Sequence, residues 1–302
     1  MTNQQFPHSN NNESTPELPA VFMGLPMWQH ASWPNTWLID CKSSKNQLEH
    51  YAKELNSIEG NTSFYALPSD ETLEKWQAMV PAHFAFTCKI HKDISHNKLQ
   101  FNEELLATQL RGLEKIKANL GQAILQLPAQ FSPTDLPALD RFLRILPSWL
   151  DIAVEVRHLA FFEKGDAEIA FNQLLIEHSA NRVVMDTRAL FTGPDTSAMV
   201  TEVRGKKPRV PVNVIATGNK PMVRFVGNDN DEDNLACLRP WIKKIHAWRC
   251  EGKQPFMFFH RPDNKDAPWL AQQFINAYNV SYPEAALPEL SIGSEPDQGA
   301  LF

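Results

Sequence analysis

Short apolar runs alternate with amphipathic segments along most of the chain. Eight of the apolar runs are predicted to be strands: Val21–Gly24, Ser57–Asn61, Phe84–Lys89, Ala123–Leu127, Asp151–Val156, Arg182–Thr187, Met222–Gly227 and Pro255–His260. Seven segments carry apolar residues at helical spacing and are predicted to be helices: Lys45–Asn56, Asp70–Met79, Asn102–Asn119, Pro133–Leu146, Asp166–His178, Leu235–Trp248 and Ala267–Tyr278.

This alternation of strands and helices predicts a parallel sheet, because parallel neighbours need a crossover connection. Eight such units in 302 residues favour a single α/β domain, a closed (β/α)8 barrel of the TIM type. No GxGxxG or Walker-type loop follows the first strand, which weakens the alternative of an open, doubly wound sheet.

Three regions depart from the alternation. The Asn-, Ser- and Pro-rich residues 1–19 predict a disordered tail, and the Pro-, Glu- and Gly-rich residues 284–302 predict a flexible one, so that the barrel occupies residues 20–283. The connection Arg188–Pro221 is too long for an ordinary turn and has the basic centre VRGKKPR. This run is either a solvated loop or an anion gate over the barrel.

Polar residues collect in the second half of the predicted strands. Placing the apolar positions against the helices leaves one polar face: Glu59, Asn61, Thr87, Lys89, His91, Gln126, Glu155, Arg157, Asp186, Arg224 and His260. In a barrel this face lines the mouth, where ligands bind. The alternative is a purely structural network in which Lys89, Arg157 and Arg224 neutralise Glu59, Glu155 and Asp186. Burying six charges for structure alone is costly, so a binding site is favoured for the set as a whole.

Net charge, apolar runs and cysteine spacing limit the kinds of partner and compartment that we expect. The formal net charge of −6 gives no electrostatic reason to expect a nucleic acid or an anionic membrane. No apolar run approaches the roughly 20 residues that span a bilayer, and no secretory signal opens the chain. The four cysteines are scattered without a CxxC pair, which predicts reduced thiols in a cytoplasmic protein.

The candidate chemistry includes metal-ligand types, since His91, His96 and His260 accompany Glu155 and Asp186. A divalent metal is compatible with these residues but not favoured, because no HExxH or His-x-His motif is present, and the cofactor is left undefined. No GxSxG elbow points to a serine nucleophile.

An ordered set of motifs resembles a known family: LNSIEGNTSFYALP (55–68), FAFTCKIHKDISH (84–96), ILQLPAQF (124–131), AVEVRH (153–158), VVMDT (183–187) and MVRFVG (222–227). The family is that of the YecE-like proteins, domain of unknown function 72. The resemblance covers roughly Val21–Tyr278 and implies a single TIM-type barrel without a settled reaction. The matching positions are Asn61, Ser63, Phe64, Tyr65, Pro68, Lys89, His96, Gln126, Pro128, Glu155, Arg157, His158, Asp186 and Arg224.

Two corners of the predicted barrel depart from that family. The first strand ends in Gly24-Leu25-Pro26-Met27-Trp28, where the family usually has a Gly-Thr-Ser-Gly-Trp type turn. The last strand ends in Phe259-His260, where the family tends to have an Asn-Asn pair. A ligand shared with the family is therefore expected to be held differently at these corners.

Three hypotheses about function follow. The first is an enzyme, such as a hydrolase or lyase, that binds a small anionic ligand through Lys89, Arg157 and Arg224, with Asn61, Tyr65, Gln126 and His260 as further ligand contacts. Its general base would be Glu155 or Asp186, and its acid His91, His96 or His158.

The second hypothesis is a ligand-binding or regulatory barrel without turnover, and the third a nucleic-acid-processing barrel with VRGKKPR as a backbone clamp. An enzyme should arrange a carboxylate, a cation and a histidine around an open cleft, whereas a binding protein can close these groups into mutual pairs.

Overall fold

Eight parallel strands form one sheet in the computed structural model, which describes residues 18–41, 43–195 and 197–292. The strands are β1 Phe22–Gly24, β2 Ser57–Gly60, β3 Ala85–Lys89, β4 Leu120–Gln126, β5 Ile152–Glu155, β6 Asn181–Asp186, β7 Met222–Val226 and β8 Phe256–His260. Their spatial order is β1-β8-β7-β6-β5-β4-β3-β2, so every neighbouring pair is consecutive around the ring. The (β/α)8 barrel and its eight predicted strands are confirmed.

The seam between β1 and β2 closes the barrel largely through side chains. The backbone N–H of Glu59 donates to the carbonyl of Leu25 at 3.0 Å. The buried Tyr51 hydroxyl accepts from the Leu25 N–H at 2.8 Å and donates to the Ser57 carbonyl at 2.8 Å. At Gly24 a Cβ would lie 2.3 Å from that same carbonyl, so the close approach of the two strands requires glycine.

Ten α-helices surround the strands in the described part of the chain. They are α1 Trp33–Thr36, α2 Gln47–Glu54, α3 Asp70–Met79, α4 Lys92–Ser95, α5 Glu103–Lys115, α6 Leu136–Ile145, α7 Asp166–Glu177, α8 Ala198–Lys206, α9 Asp231–Cys250 and α10 Ala267–Ser281. The predicted cap at Ser69 is present, since its hydroxyl accepts from the Thr72 N–H at 3.3 Å. The predicted start at Ser132 first forms a short 3-10 turn, Pro133–Asp135, and then α6.

The long connection Arg188–Pro221 contains a helix that the sequence pattern did not predict. Helix α8 is short and is capped by Ser197, whose hydroxyl accepts from the Val200 N–H at 3.2 Å. The chain then returns to the end of β6, where the Thr187 hydroxyl donates to the Pro208 carbonyl at 3.1 Å. The basic run therefore ends over the barrel mouth.

The barrel lumen divides into two halves. Its lower half is a small apolar cluster of side chains from the strands: Phe22, Ala85, Ile124, Ala153, Val183, Met222, Phe256 and Phe258. The larger apolar core lies outside the sheet, between strands and helices. The upper half of the lumen, toward the carboxyl ends of the strands, holds the polar residues that form the candidate site.

The expected tails fall mainly on residues 1–17 and 293–302, which lie outside the described residues. Residues 284–292 are described, and they pack onto α10. Leu287 and Leu290 are 5% and 7% exposed, and the Leu287 N–H donates to Asn279 Oδ1 at 2.7 Å. Flexibility was expected from the Pro- and Glu-rich composition, but two buried leucines attach this part to the barrel. None of the described helices is long and apolar enough to cross a membrane.

Replacing Leu287 with alanine should destabilise the protein by about 2–5 kcal/mol, because a buried leucine loses its apolar contacts and leaves a cavity. The exposed Leu159 provides the matched control, and Leu159→Ala should change the free energy of unfolding by no more than about 0.5 kcal/mol. Urea denaturation measures both. Equal losses in the two variants would show that the 284–292 segment is not anchored.

Candidate functional site

The carboxylate of Glu59, at the end of β2, lies at the centre of the barrel mouth and is fully buried. Arg224 on β7 donates to both of its oxygens, from Nη2 at 2.8 Å and from Nε at 2.9 Å. His260 on β8 contacts Oε2 through Nε2 at 2.9 Å, and Lys89 on β3 lies 3.4 Å from Oε1. Four strands therefore meet at one carboxylate.

A second buried carboxylate, Glu155 on β5, extends this network. Arg224 Nη1 donates to its Oε2. Arg157 occupies the other oxygen, with Nε at 2.9 Å and Nη2 at 2.8 Å from Oε1. The ion pairs therefore run in a chain from Arg157 through Glu155 and Arg224 to Glu59, and each carboxylate oxygen has a cationic partner.

Lys89 and Gln126 complete the described site. The Lys89 ammonium donates to Gln126 Oε1 at 3.0 Å and faces the ring of Phe64, 5.7 Å from its centroid. Burial lowers the pKa of Lys89, and the nearby Arg224 lowers it further, to about 8 despite the opposing charges of Glu59 and Glu155. A substantial fraction of this amine is therefore neutral at mildly alkaline pH.

The network determines the protonation states of its members. Burial by itself would raise the pKa of the Glu155 carboxyl, but Arg224, Arg157 and Lys89 hold it at about 2. The same competition keeps the pKa of Glu59 well below its usual value. Burial lowers the pKa of His260 to about 4 in spite of Glu59. Because the imidazole is neutral near pH 7, its Nε2–H donates to Glu59.

Lys207, in the long connection, interacts electrostatically with the charges of the mouth, and sequence reasoning did not single it out. Burial and Arg224 lower its pKa to about 8, and it lies within electrostatic range of Glu59, Glu155 and Lys89. Among the described residues no carboxylate forms an ion pair with it. The feature of the sequence that could have identified Lys207 is the basic run VRGKKPR, which lies in the connection after a barrel strand.

The site has an excess of positive charge. Four cations (Lys89, Arg157, Lys207 and Arg224) accompany two carboxylates, Glu59 and Glu155, in the described residues. The buried His260 adds no charge near pH 7. The mouth therefore carries an electrostatic preference for an anion below about pH 8.

Asp186 lies on the other face of the sheet, which corrects the expectation that it opens into the mouth. Strand register pairs Met185 with Arg224, so Met185 faces the lumen and Asp186 faces the helices. Arg188 donates to Asp186 Oδ1 at 3.0 Å and Oδ2 at 2.7 Å, and Trp241 Nε1 donates to Oδ2 at 2.7 Å. The face of Asp186 was misassigned because each side of β6 mixes polar and apolar residues. One side has Arg182, Val184 and Asp186, and the other has Asn181, Val183 and Met185.

Several other predicted site residues make local structural contacts. His91 caps α4, accepting the Asp93 N–H on Nδ1 at 3.2 Å, while its Nε2 contacts the Tyr65 carbonyl at 3.2 Å. His158 caps a 3-10 turn, Leu159–Phe162, through the Ala160 N–H at 3.3 Å. Both imidazoles therefore have a structural explanation.

Asn61 and Tyr65 belong to the rim, and in the described residues neither makes a hydrogen bond to a charged side chain of the network, although the Asn61 amide donates to the Glu59 backbone carbonyl at 3.3 Å. The Asn61 amide donates to the Pro26 carbonyl at 2.9 Å and joins the β1 and β2 loops. The Tyr65 ring is exposed, and the Lys92 ammonium lies 6.0 Å from its centroid. Both residues are placed at the entrance to the mouth.

His96 lies at the same rim and is electrostatically coupled to the network. Its ring packs edge-on against Phe64, with centroids 5.1 Å apart. Burial lowers the pKa of His96, and the positive charges of Arg157 and Lys89 lower it further. In the part of the chain that the structure describes, no group of three or more His, Cys, Asp or Glu side chains is arranged to hold a metal ion.

Replacing Arg224 with methionine should destabilise the protein by about 3–5 kcal/mol, because it leaves two buried carboxylates without their shared partner. Arg144→Met breaks an exposed pair with Asp140 and should leave the free energy of unfolding nearly unchanged, because solvent screens exposed charges. Urea unfolding at pH 7 compares the two. A loss for Arg224→Met as small as that of the control would contradict the central role of this residue.

His260 should make the protein less stable as the pH falls from about 6.5 to about 4. Over this range the unfolded chain binds a proton on His260 that the folded chain excludes, so the free energy of unfolding decreases with falling pH, by on the order of 3 kcal/mol. His260→Gln removes this contribution and should flatten the profile. Unchanged pH dependence in the variant would mean that the folded His260 titrates normally.

A family model and a protein of known sequence both match most of this chain and point to the same family. Residues 22–292 match the family model described as "Protein of unknown function DUF72". The chain is 34% identical to the UPF0759 protein YecE of Escherichia coli K12 over 284 residues, which cover 93% of this chain and 100% of that protein.

Two crystal structures of DUF72 family proteins share the fold. The first, from Enterococcus faecalis V583, matches with a TM-score of 0.65 at 19% identity, covering 86% of this chain and 98% of that one. The second, from Thermotoga maritima MSB8, matches with a TM-score of 0.61 at 18% identity, covering 88% and 99%. The family match over residues 22–292 and the 34% identity to the Escherichia coli protein show that the chain belongs to the DUF72 (UPF0759, YecE-like) family.

Proposed function

We propose that the barrel mouth recognises a small anionic ligand that carries a carboxylate or phosphate group. The observation that carries the proposal is the excess of positive charge, with Lys207 placed over the mouth and no carboxylate of the described residues paired with it. An uncompensated cation in a partly desolvated site is unfavourable, and a bound anion relieves this cost. The carboxyl ends of barrel strands are also where ligands of this fold bind.

Arg157 supports the same interpretation. Its side chain is 21% exposed, whereas its partner Glu155 is 1% exposed, so the guanidinium faces the open side of the network. Nε and Nη2 contact Glu155, and within the described residues Nη1 makes no hydrogen bond. Arginine offers donors in a planar fork, so this group can hold a ligand oxygen while it remains paired.

The pairing of the carboxylates favours ligand recognition over hydrolysis by a carboxylate base. Both oxygens of Glu59 and of Glu155 accept hydrogen bonds from cations, and their lowered pKa values make them weak bases. Asp186 faces away from the mouth. The three predicted cations, Lys89, Arg157 and Arg224, are thus paired with Glu59 and Glu155, the pattern expected of a binding barrel.

The contacts of the basic run argue against a nucleic-acid clamp. Arg204 pairs with Asp195 and donates to the Leu190 carbonyl at 2.7 Å, and Lys206 pairs with Glu202. Arg209 packs over the Phe191 ring, 5.3 Å from its centroid. Lys207 interacts with the charges of the mouth, so within the described residues the run offers no row of unpaired cations to a phosphate backbone.

The test compares two adjacent lysines on the same segment. Lys207→Gln should weaken the binding of inorganic phosphate by about tenfold or more, since loss of one charge-assisted contact costs roughly 1.5–3 kcal/mol. Lys206→Gln is the matched control, because its ammonium is exposed and paired with Glu202, and it should leave affinity unchanged.

Isothermal titration calorimetry at low ionic strength provides the measurement, with pyruvate as a second anion. Equal affinities of the two variants for both anions would remove Lys207 from the site. Failure of the wild-type protein to bind either anion, or glycerol 3-phosphate as a larger probe, would refute anion recognition at the mouth.

A further inference from the structure

The Lys89 amine can lose its proton without leaving a carboxylate unpaired. Its Nζ donates one hydrogen bond, to Gln126 Oε1 at 3.0 Å, and forms an ion pair with Glu59 Oε1 at 3.4 Å. Arg224 holds the same Glu59 oxygen through Nη2 at 2.8 Å, so Glu59 keeps a cationic partner when Lys89 is neutral. The neutral amine then carries a lone pair in place of one N–H.

The position of Lys89 gives this lone pair access to a ligand. Lys89 is the last residue of β3, at the level of the mouth, and its side chain keeps 8% exposure while that of Glu59 has none. Burial and the adjacent Arg224 lower its pKa to about 8, so roughly a tenth of the amine is neutral at pH 7. Desolvation beside a second cation is a known means of making lysine a nucleophile.

We propose that Lys89 forms a Schiff base with the carbonyl group of the anionic ligand. This inference rests on the proposed function, because Lys207 and Arg157 are the groups that would hold the anionic end. It defines the ligand class as an aldehyde or ketone with a carboxylate or phosphate group, such as a 2-oxo acid or a phosphorylated sugar.

The reaction balances without a further reactant. The Nζ lone pair attacks the carbonyl carbon, the π electrons move to the oxygen, and that oxygen takes a proton to give a carbinolamine. The nitrogen loses a proton, its lone pair forms the C=N bond, and the hydroxyl leaves as water after protonation. Amine and carbonyl thus give an imine and water, with no change in oxidation state. His96, against the same Phe64 ring that Lys89 faces, can exchange protons with solvent there.

The experiment uses two carbonyl compounds and two matched compounds without a carbonyl. The full-length protein is incubated with sodium cyanoborohydride and either pyruvate, dihydroxyacetone phosphate, lactate or glycerol 3-phosphate, and then digested for mass spectrometry. We expect the first two to leave a reduced adduct on Lys89, and the last two to leave none. Adducts spread over surface lysines, or located on Lys207, would overturn the proposal.

Binding of the same four compounds, measured in parallel, distinguishes anion recognition at the mouth from Schiff-base formation on Lys89. If lactate or glycerol 3-phosphate binds in a Lys207-dependent manner and neither carbonyl compound marks Lys89, the Schiff base is refuted while anion recognition stands. If none of the four compounds binds, the proposed function fails, and this inference fails with it.

Variants and pH provide the remaining controls. Lys89→Met should lose the adduct, whereas Lys207→Gln should need about tenfold more ligand for the same adduct on Lys89.

The rate of adduct formation should rise about tenfold per pH unit up to pH 8 and then level off, because the neutral amine is the reactive form and the pKa of Lys89 is about 8. The charged groups that face Lys89 are Glu59, Glu155, Arg157, Arg224 and Lys207. A rate that keeps rising to pH 10 would overturn the proposal. The wild-type peptide map decides the question even if Lys89→Met does not fold.

Discussion

One guanidinium, that of Arg224, holds the barrel mouth together. Its Nε and Nη2 bind Glu59 and its Nη1 binds Glu155, so β7 is linked across the lumen to β2 and β5, which are not its neighbours in the sheet. Burying these charges is unfavourable unless every partner is satisfied. This requirement explains why Arg157, Lys89 and His260 surround the same carboxylates, and why the carboxylates remain ionised.

The neutral His260 joins the last strand to the charged network. It donates from Nε2 to Glu59 at 2.9 Å. Its lowered pKa keeps it uncharged, so it satisfies a carboxylate oxygen without adding another cation. Within the described residues the excess positive charge of the mouth is therefore that of Lys89, Arg157, Lys207 and Arg224.

The basic residues of the long connection after β6 serve either the fold of the connection or the barrel mouth, and the composition of the run does not show which residue does which. Arg204 is occupied with the segment's own fold, donating to the carbonyls of Leu190 at 2.7 Å and Thr192 at 2.8 Å. Lys207 follows the end of α8, where the chain turns back to the mouth. Basic residues of the same run therefore have different environments. Arg204 stabilises the connection itself, whereas Lys207 interacts with the charges of the mouth.

The sequence by itself determined the architecture and most of the mouth. Strand and helix periodicities are local, so the eight strands were located to within three residues, and Lys89, Gln126, Glu155, Arg157, Arg224 and His260 were expected at one face. The tertiary structure decided which face of a strand a residue occupies where the periodicity of the sequence is ambiguous. Barrel strands are buried on both faces, so the residue pattern of β6 could not tell which face Asp186 occupies. The pairing of the charges, the neutral state of His260 and the arrival of Lys207 depend on contacts between distant segments, and no local pattern encodes those.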